Sequence, residues 1–378
     1  IRFGGGAMYT FTDAGINLDA ATRNGNLHFL GAVDFNASAN YVMAGGGSPL
    51  NIRVDGAITF DAADVTFGTG GTYTFNGAVT FGGGFTVEVN DAASIQLGDN
   101  FADNITLTGG SILQSTAPGG PTMNVLGSVV NTNGIIDCGI CSWTFGGDYS
   151  DGTTSEFRGG DATILFNGPV GRTISIIGDF LCEEAQVQIG VNGVPIDITI
   201  EDDGADTGLF DCGSSLSAGD TITIFGDVLI DENGAGDATF FVNSGVGAIS
   251  ITGDVTVDAI MFGNVIPGRA VNITGNLTLG ANGVIDRGIY VVSNDLNNGG
   301  SIFTAAGNTI DLDVGGTFNN LATGILGDGA SLFNLDLVCN FTNAGMVDLN
   351  GSTNNTFELQ GTFTNQATGT VNAGQCAL

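Results

Sequence analysis

The phrase ITGDVTV at 251–257 returns as ITGNLTL at 273–279, 22 positions later. In both copies apolar residues alternate with small polar ones: Val255 and Val257 flank Thr256, and Leu277 and Leu279 flank Thr278. A period of two belongs to a strand with one buried face, because successive side chains of an extended chain point to opposite sides. Each run follows a glycine, Gly253 or Gly275, and then Asp254 or Asn276. These residue types tolerate the backbone angles of tight turns. The repeating unit is therefore a turn followed by a short strand.

Looser copies occur at LGAVDF (30–35), DGAITF (55–60), NGAVTF (76–81), FADNITL (101–107), LGSVV (126–130), GDFLC (178–182), GDVLI (226–230), GGTFNN (315–320), VCNFTN (338–343) and QGTFTN (360–365). Gly31, Gly56, Gly77, Gly98 and Gly127 stand 25, 21, 21 and 29 positions apart, and Gly226, Gly253 and Gly275 stand 27 and 22 apart. A near-constant interval with slippage of a few residues marks a solenoid whose turns carry loops of different length. Helix is disfavoured: glycine supplies 64 of 378 residues, and no long stretch places apolar residues at three-and-four spacing. Asn-Gly pairs such as Asn76-Gly77 and Asn282-Gly283 sit singly inside the longer repeat, which argues against a hairpin-built sandwich or propeller.

The pattern predicts an all-β chain, a single right-handed parallel β-helix of roughly 17 coils stacked about 4.8 Å apart into a rod on the order of 80 Å long. Its interior is expected to hold rows of Val, Ile, Leu and the 25 Phe. One continuous solenoid over 1–378 is expected, with an irregular insertion at 183–215, where Pro195 and several carboxylates interrupt the rhythm.

There are 39 acidic residues against 7 basic ones, all Arg, for a net charge of −32. Such a surface repels phosphate backbones and anionic headgroups, which excludes nucleic acid as a partner. No apolar run is long enough for a membrane-inserted helix. The absence of Lys excludes Schiff-base chemistry and lysine isopeptide cross-links. Divalent cations are the natural counter-ions, and EDDGAD (201–206) and DENGAGD (231–237) place oxygen donors on glycine-containing loops. Asp202, Asp203, Asp206, Asp231, Glu232 and Asp237 are thus candidate calcium ligands, with solvated turn carboxylates as the other reading. Six Cys, an even number, are read as disulfides, with buried thiols the alternative. CGIC at 138–141 lacks the second pair or His ligands a zinc site needs. The chain starts at Ile1 without a signal pattern, and reads as a mature or trimmed form.

Catalysis finds little footing. Glycan-cleaving β-helices use a basic residue beside calcium carboxylates, or convergent Asp residues. Here the basic role would fall to Arg158 or Arg172. The single His, His28 in NLHFL, reads as a half-buried structural residue, and the GGG stretches lack the Lys and helix of a phosphate loop. No catalytic residue is assigned.

The G-[DN]-[VL]-T-[VL] phrase, the GGTFNN and QGTFTNQATGTV segments and the lack of Lys resemble the β-helical shafts of bacterial secreted adhesins, of the filamentous-haemagglutinin and autotransporter-passenger type. That resemblance implies an extracellular or cell-surface structural protein, with surface glycans or other cells as partners. The alternative is a polysaccharide-active β-helix enzyme, a lyase or hydrolase. Strand pattern runs from MYTFTDAGINLDA (8–20) to TFELQGTFTNQATGTVNA (356–373) with no capping helix legible. Since a bare edge recruits other strands, copies are expected to join head to tail into an open filament.

Overall fold

The computed structural model describes residues 2–3, 9–11, 25–35, 41–43, 50–61, 64–68, 70–90, 94–115, 121–202, 208–213, 220–232, 238–242, 247–263, 270–303, 309–327, 332–348 and 356–372. Regular structure among them is strand, without helix, and the strands form three parallel sheets, here A, B and C. The chain divides into two compact units, Ile1–Gly190 and Val191–Leu378, and each is a parallel β-solenoid.

In the first unit one coil runs through Thr72–Phe75 in sheet A, Val79–Phe81 in sheet B and Thr86–Val89 in sheet C. It returns to sheet A at Ser94–Leu97, directly beside where it began. In the second unit Gly247–Ile251, Val255–Val257 and Ile260–Phe262 do the same before Val271–Ile273. Coil length varies with the loops. Val271 pairs with Tyr290, 19 positions on, whereas Ile95 pairs with Met123, 28 positions on. The longer loops consume chain, so the solenoid has fewer turns than the roughly 17 read from the shorter spacings.

The two copies of the repeated phrase lie against one another in register: Val255 beside Leu277, Thr256 beside Thr278, Val257 beside Leu279. All four Val and Leu side chains are buried, and the threonines sit half-exposed on the outer face. GDFLC (178–182) is the exception among the phrases. Its strand, Asp179–Leu181, belongs to sheet C, and the sheet B strand of that coil is Thr173–Ile176. A glycine–aspartate turn serves more than one corner, so the phrase alone does not identify the sheet.

Marker glycines stack because the corner leaves no room for a side chain. A Cβ on Gly253 would land on the carbonyl oxygen of Gly226, and one on Gly275 on that of Gly253. In the first unit Gly77 meets Gly56 and Gly56 meets Gly31 in the same way. Inside, like sits on like. Phe35, Phe60 and Phe81 stack with centroids 5.1 and 5.6 Å apart, and Phe318 stacks on Phe341 at 4.7 Å. A buried polar column also runs through the second unit. Asn298 Nδ2 donates to Asn320 Oδ1 at 2.8 Å, Asn320 to Asn343 at 2.7 Å, and Asn343 to Asn365 at 2.7 Å. Asn320 and Asn343 thus accept from one neighbour and donate to the next, which is the condition for burying them, while the buried Asn298 Oδ1 at the head of the column has no hydrogen-bond partner among the described residues.

Two further expectations meet the structure here. The five described cysteines, Cys138, Cys141, Cys182, Cys212 and Cys339, are buried thiols, so the disulfide reading gives way to its alternative; Cys376 lies outside the described residues. A solenoid already tied at every coil by main-chain hydrogen bonds has no need of staples. Residues 183–215 contain the strands Gln186–Ile189, Asp197–Glu201 and Leu209–Asp211, together with a small antiparallel bridge between Val191 and Val194.

Leu277→Ala should lower stability by about 2–5 kcal/mol, since its side chain is fully enclosed, while Thr278→Ala should change it by less than about 0.5 kcal/mol. Urea unfolding midpoints measure both, and the reverse order would show the register to be wrong.

Candidate functional site

The coil period decides which distant residues meet. Arg2, His28 and Arg53 are 26 and 25 positions apart, and they occupy one column of sheet A: Arg2 pairs with His28, His28 with Arg53, and Arg53 with Thr74. The His28 and Arg53 side chains converge on Asp55, just beyond the strand Leu50–Val54. His28 Nε2 lies 2.7 Å from Asp55 Oδ2. Arg53 Nε donates to Oδ1 at 2.6 Å, and Asn76 Nδ2 donates to the same oxygen at 2.9 Å. Burial pushes the Asp55 carboxyl up, but the hydrogen bonds from Arg53, His28 and Asn76 outweigh it and hold the group below the usual carboxylate range.

A neighbouring outward column carries Asn26, Asn51 and Thr72. Asn51 Nδ2 donates to Asn26 Oδ1 at 2.9 Å, and the Thr72 N–H donates to Asn51 Oδ1 at 3.1 Å. These two columns line a shallow groove of about 370 Å³. Its chemistry is that of binding: a guanidinium, an imidazole, amides and hydroxyls, with the one carboxylate already engaged. Within its own strand His28 reads only as a half-buried residue, which it is. The signal was the spacing of His28 from Arg2 and Arg53, each one coil away.

A second groove, of about 530 Å³, lies in the unit Val191–Leu378, between the Val191–Val194 turn and the corner of Phe225, Asp227 and Gly253. Asp197 and Asp227 line it as members of a corner ladder. Asp197 Oδ1 accepts the Asp227 N–H at 3.0 Å, Asp227 Oδ1 the Asp254 N–H at 2.8 Å, and Asp254 Oδ1 the Asn276 N–H at 2.8 Å. The Asp and Asn that follow the marker glycines therefore tie each turn to the next.

Of the calcium candidates, Asp203, Asp206 and Asp237 lie outside the described residues. Asp202 is buried, 2% exposed, immediately after the strand Asp197–Glu201. Asp231 ends the strand Val228–Asp231 opposite Glu201, and Glu232 follows it, half-buried. No three of His, Cys, Asp or Glu are grouped to hold a metal ion among the described residues.

Neither candidate arginine is placed to act as a base. Arg158 forms a two-pronged pair with Glu156, Nε to Oε1 at 2.6 Å and Nη2 to Oε2 at 2.7 Å. Those bonds raise its already high pKa and keep it charged. Arg172 reaches Asp148 Oδ2 at 3.0 Å and stacks over the Phe101 ring.

Among the described residues Asp151 is a strongly perturbed carboxylate, and its setting is structural. It follows Asn131 in an inward column of sheet B, is 8% exposed, and accepts the N–H groups of Ile177 and Gly178. Burial pushes its carboxyl up to about 6, against the lowering effect of those N–H donors. The native state therefore holds this proton more tightly than the unfolded chain. Stability should fall as pH rises from the ordinary value of 3.8 through about 6, by at most about 3 kcal/mol, and level off above. Asp151→Asn should flatten that segment of the profile and raise the melting temperature at pH 7. Thermal melts from pH 3 to 8 measure it, and an unchanged slope in the variant would refute the assignment.

No protein family matches this chain, and neither the curated proteins nor the solved structures contain a match to it. The architecture and the chemistry of its columns are what bear on function.

Proposed function

We propose that the protein is an extracellular structural β-solenoid whose copies join head to tail, serving as a filament subunit or as the shaft of a surface adhesin. One observation carries this reading. In the last described coil the core columns continue but are open to solvent. Phe363 extends the Phe318–Phe341 stack at 5.3 Å from Phe341, yet it is 42% exposed where Phe341 is 0%. Val371 is 42% exposed, and Val347, its neighbour in the same column, 2%. A parallel strand edge backed by exposed core residues is a template for another coil; supplied by a second copy, that coil makes a contact that repeats without closing. The adhesive side of the reading draws on the repeat composition, with surface glycans or other cells as partners. Calcium at 201–206 and 231–237 belongs to the same proposal, supported by the oxygen donors those loops supply.

Sedimentation velocity tests the assembly. The intact chain should form species that grow with concentration, and Phe363→Asp should leave monomers, because a buried carboxylate in the joint is strongly unfavourable. A chain that stays monomeric at high concentration would refute the head-to-tail reading. Melting in millimolar calcium against chelator tests the cation: a higher melting temperature in calcium is expected, since a ligand that binds the native state stabilises it, and identical curves would remove calcium from the proposal.

A further inference from the structure

The outer face of sheet A in the unit Ile1–Gly190 is anomalous for its charge. Eight strands, from Gly25–Phe29 to Gln186–Ile189, each present two outward positions in register. Neither column contains an Asp or Glu, in a chain with 39 of them. Sheet C of the same unit, by contrast, carries Glu88, Asp137, Glu156 and Asp179 within its strands. Where acids are missing, sheet A has Asn, Thr, Ser and Gln side chains, one Leu, and at one end His28 and the cation Arg53. Adjacent strands repeat these columns about every 4.8 Å, and the two columns run about 6.6 Å apart along the strand.

We propose that this face binds a linear polysaccharide bearing carboxylates, a polyuronate, laid across the strands along the stacking direction. Its carboxylate is held at the Arg53 guanidinium, beside His28, and its hydroxyls bond to the amide and hydroxyl columns. Arg53 donates to Asp55 through Nε, and its side chain is 55% exposed, which leaves the planar terminal amino groups for a ligand carboxylate. Asp55 also fixes the His28 ring at 2.7 Å, so the guanidinium and the imidazole beside it are positioned before any ligand arrives. An extended chain of sugar acids advances by a distance close to the strand spacing, so successive residues meet successive strands. The remaining acidic surface is screened at physiological salt beyond about 8 Å. This inference deepens the adhesive part of the proposed function by naming a ligand class, and it does not depend on head-to-tail assembly.

Titration calorimetry of the full chain with polygalacturonate, at physiological ionic strength, tests it. Binding is expected, weakened at least about tenfold by Arg53→Gln, the loss of a charge-assisted hydrogen bond. Thr122→Asp, a carboxylate placed on the exposed track two coils beyond Thr72, should weaken it several-fold, and Arg158→Gln on sheet C should bind as the parent does. Circular dichroism confirms the fold of each variant, and Thr122→Asp carries the test should Arg53→Gln misfold. Absence of binding, equal weakening by Arg158→Gln, or equal binding of a neutral β-glucan or dextran sulfate would each overturn the proposal. Phe363→Asp should abolish assembly and preserve polygalacturonate binding, so the two readings fail separately.

Discussion

Everything in each unit follows from parallel coils hydrogen-bonding to one another at the spacing of neighbouring strands, about 4.8 Å. At that distance every residue in a strand sits on the residue one coil away, so a side chain is tolerated only if it is compatible with the one stacked on it. Apolar columns satisfy the condition by stacking, as Phe35, Phe60 and Phe81 do. Amide columns satisfy it by passing a hydrogen bond along, as from Asn298 to Asn365. Glycine columns satisfy it by having no side chain: Gly226, Gly253 and Gly275 lie where a Cβ would meet a carbonyl.

Carboxylates face the same condition with a penalty attached. Two unit charges about 4.8 Å apart repel by roughly 1 kcal/mol even in the dielectric of water. The corner ladder of Asp197, Asp227 and Asp254 offsets this by having each Oδ1 accept the backbone N–H of the next corner residue. A hydrogen bond to a charged group contributes about 1.5–3 kcal/mol, which exceeds the repulsion. Asn276 then interrupts the run of charge while keeping the acceptor, and Asp295 N–H bonds to its Oδ1 at 3.2 Å. A strongly acidic chain can thus line a corner with carboxylates and still stack.

The same condition explains what could be read from the sequence. Val255, Val257, Leu277 and Leu279 announce their burial because a strand with one buried face alternates, and the marker glycines announce the corner because only glycine fits it. Sheet identity was less legible. Asp179–Leu181 follows a Gly-Asp like the sheet B strands, yet it lies in sheet C, because corners of similar shape accept similar residues. The number of turns was overestimated because loops as long as the one between Ile95 and Met123 leave no periodic trace. Buried cysteines were hidden for a different reason: an even count suggests pairing, while a buried thiol behaves as a small apolar residue with no local signature.

The candidate groove was invisible strand by strand and legible only in phase. His28 in NLHFL and Arg53 in LNIRV are unremarkable outward residues of separate strands. Once the coil length between them is known to be 25 residues, they become neighbours, and Asp55 becomes the acceptor both require. In a solenoid, then, surface chemistry is written at the coil interval. A position without acid in one strand means little, but the same omission over eight registered strands describes a face. Variable loops shift the interval between paired residues of neighbouring coils from 17 to 30 residues, so no fixed-period reading finds such a face, and only the pairing register reveals it.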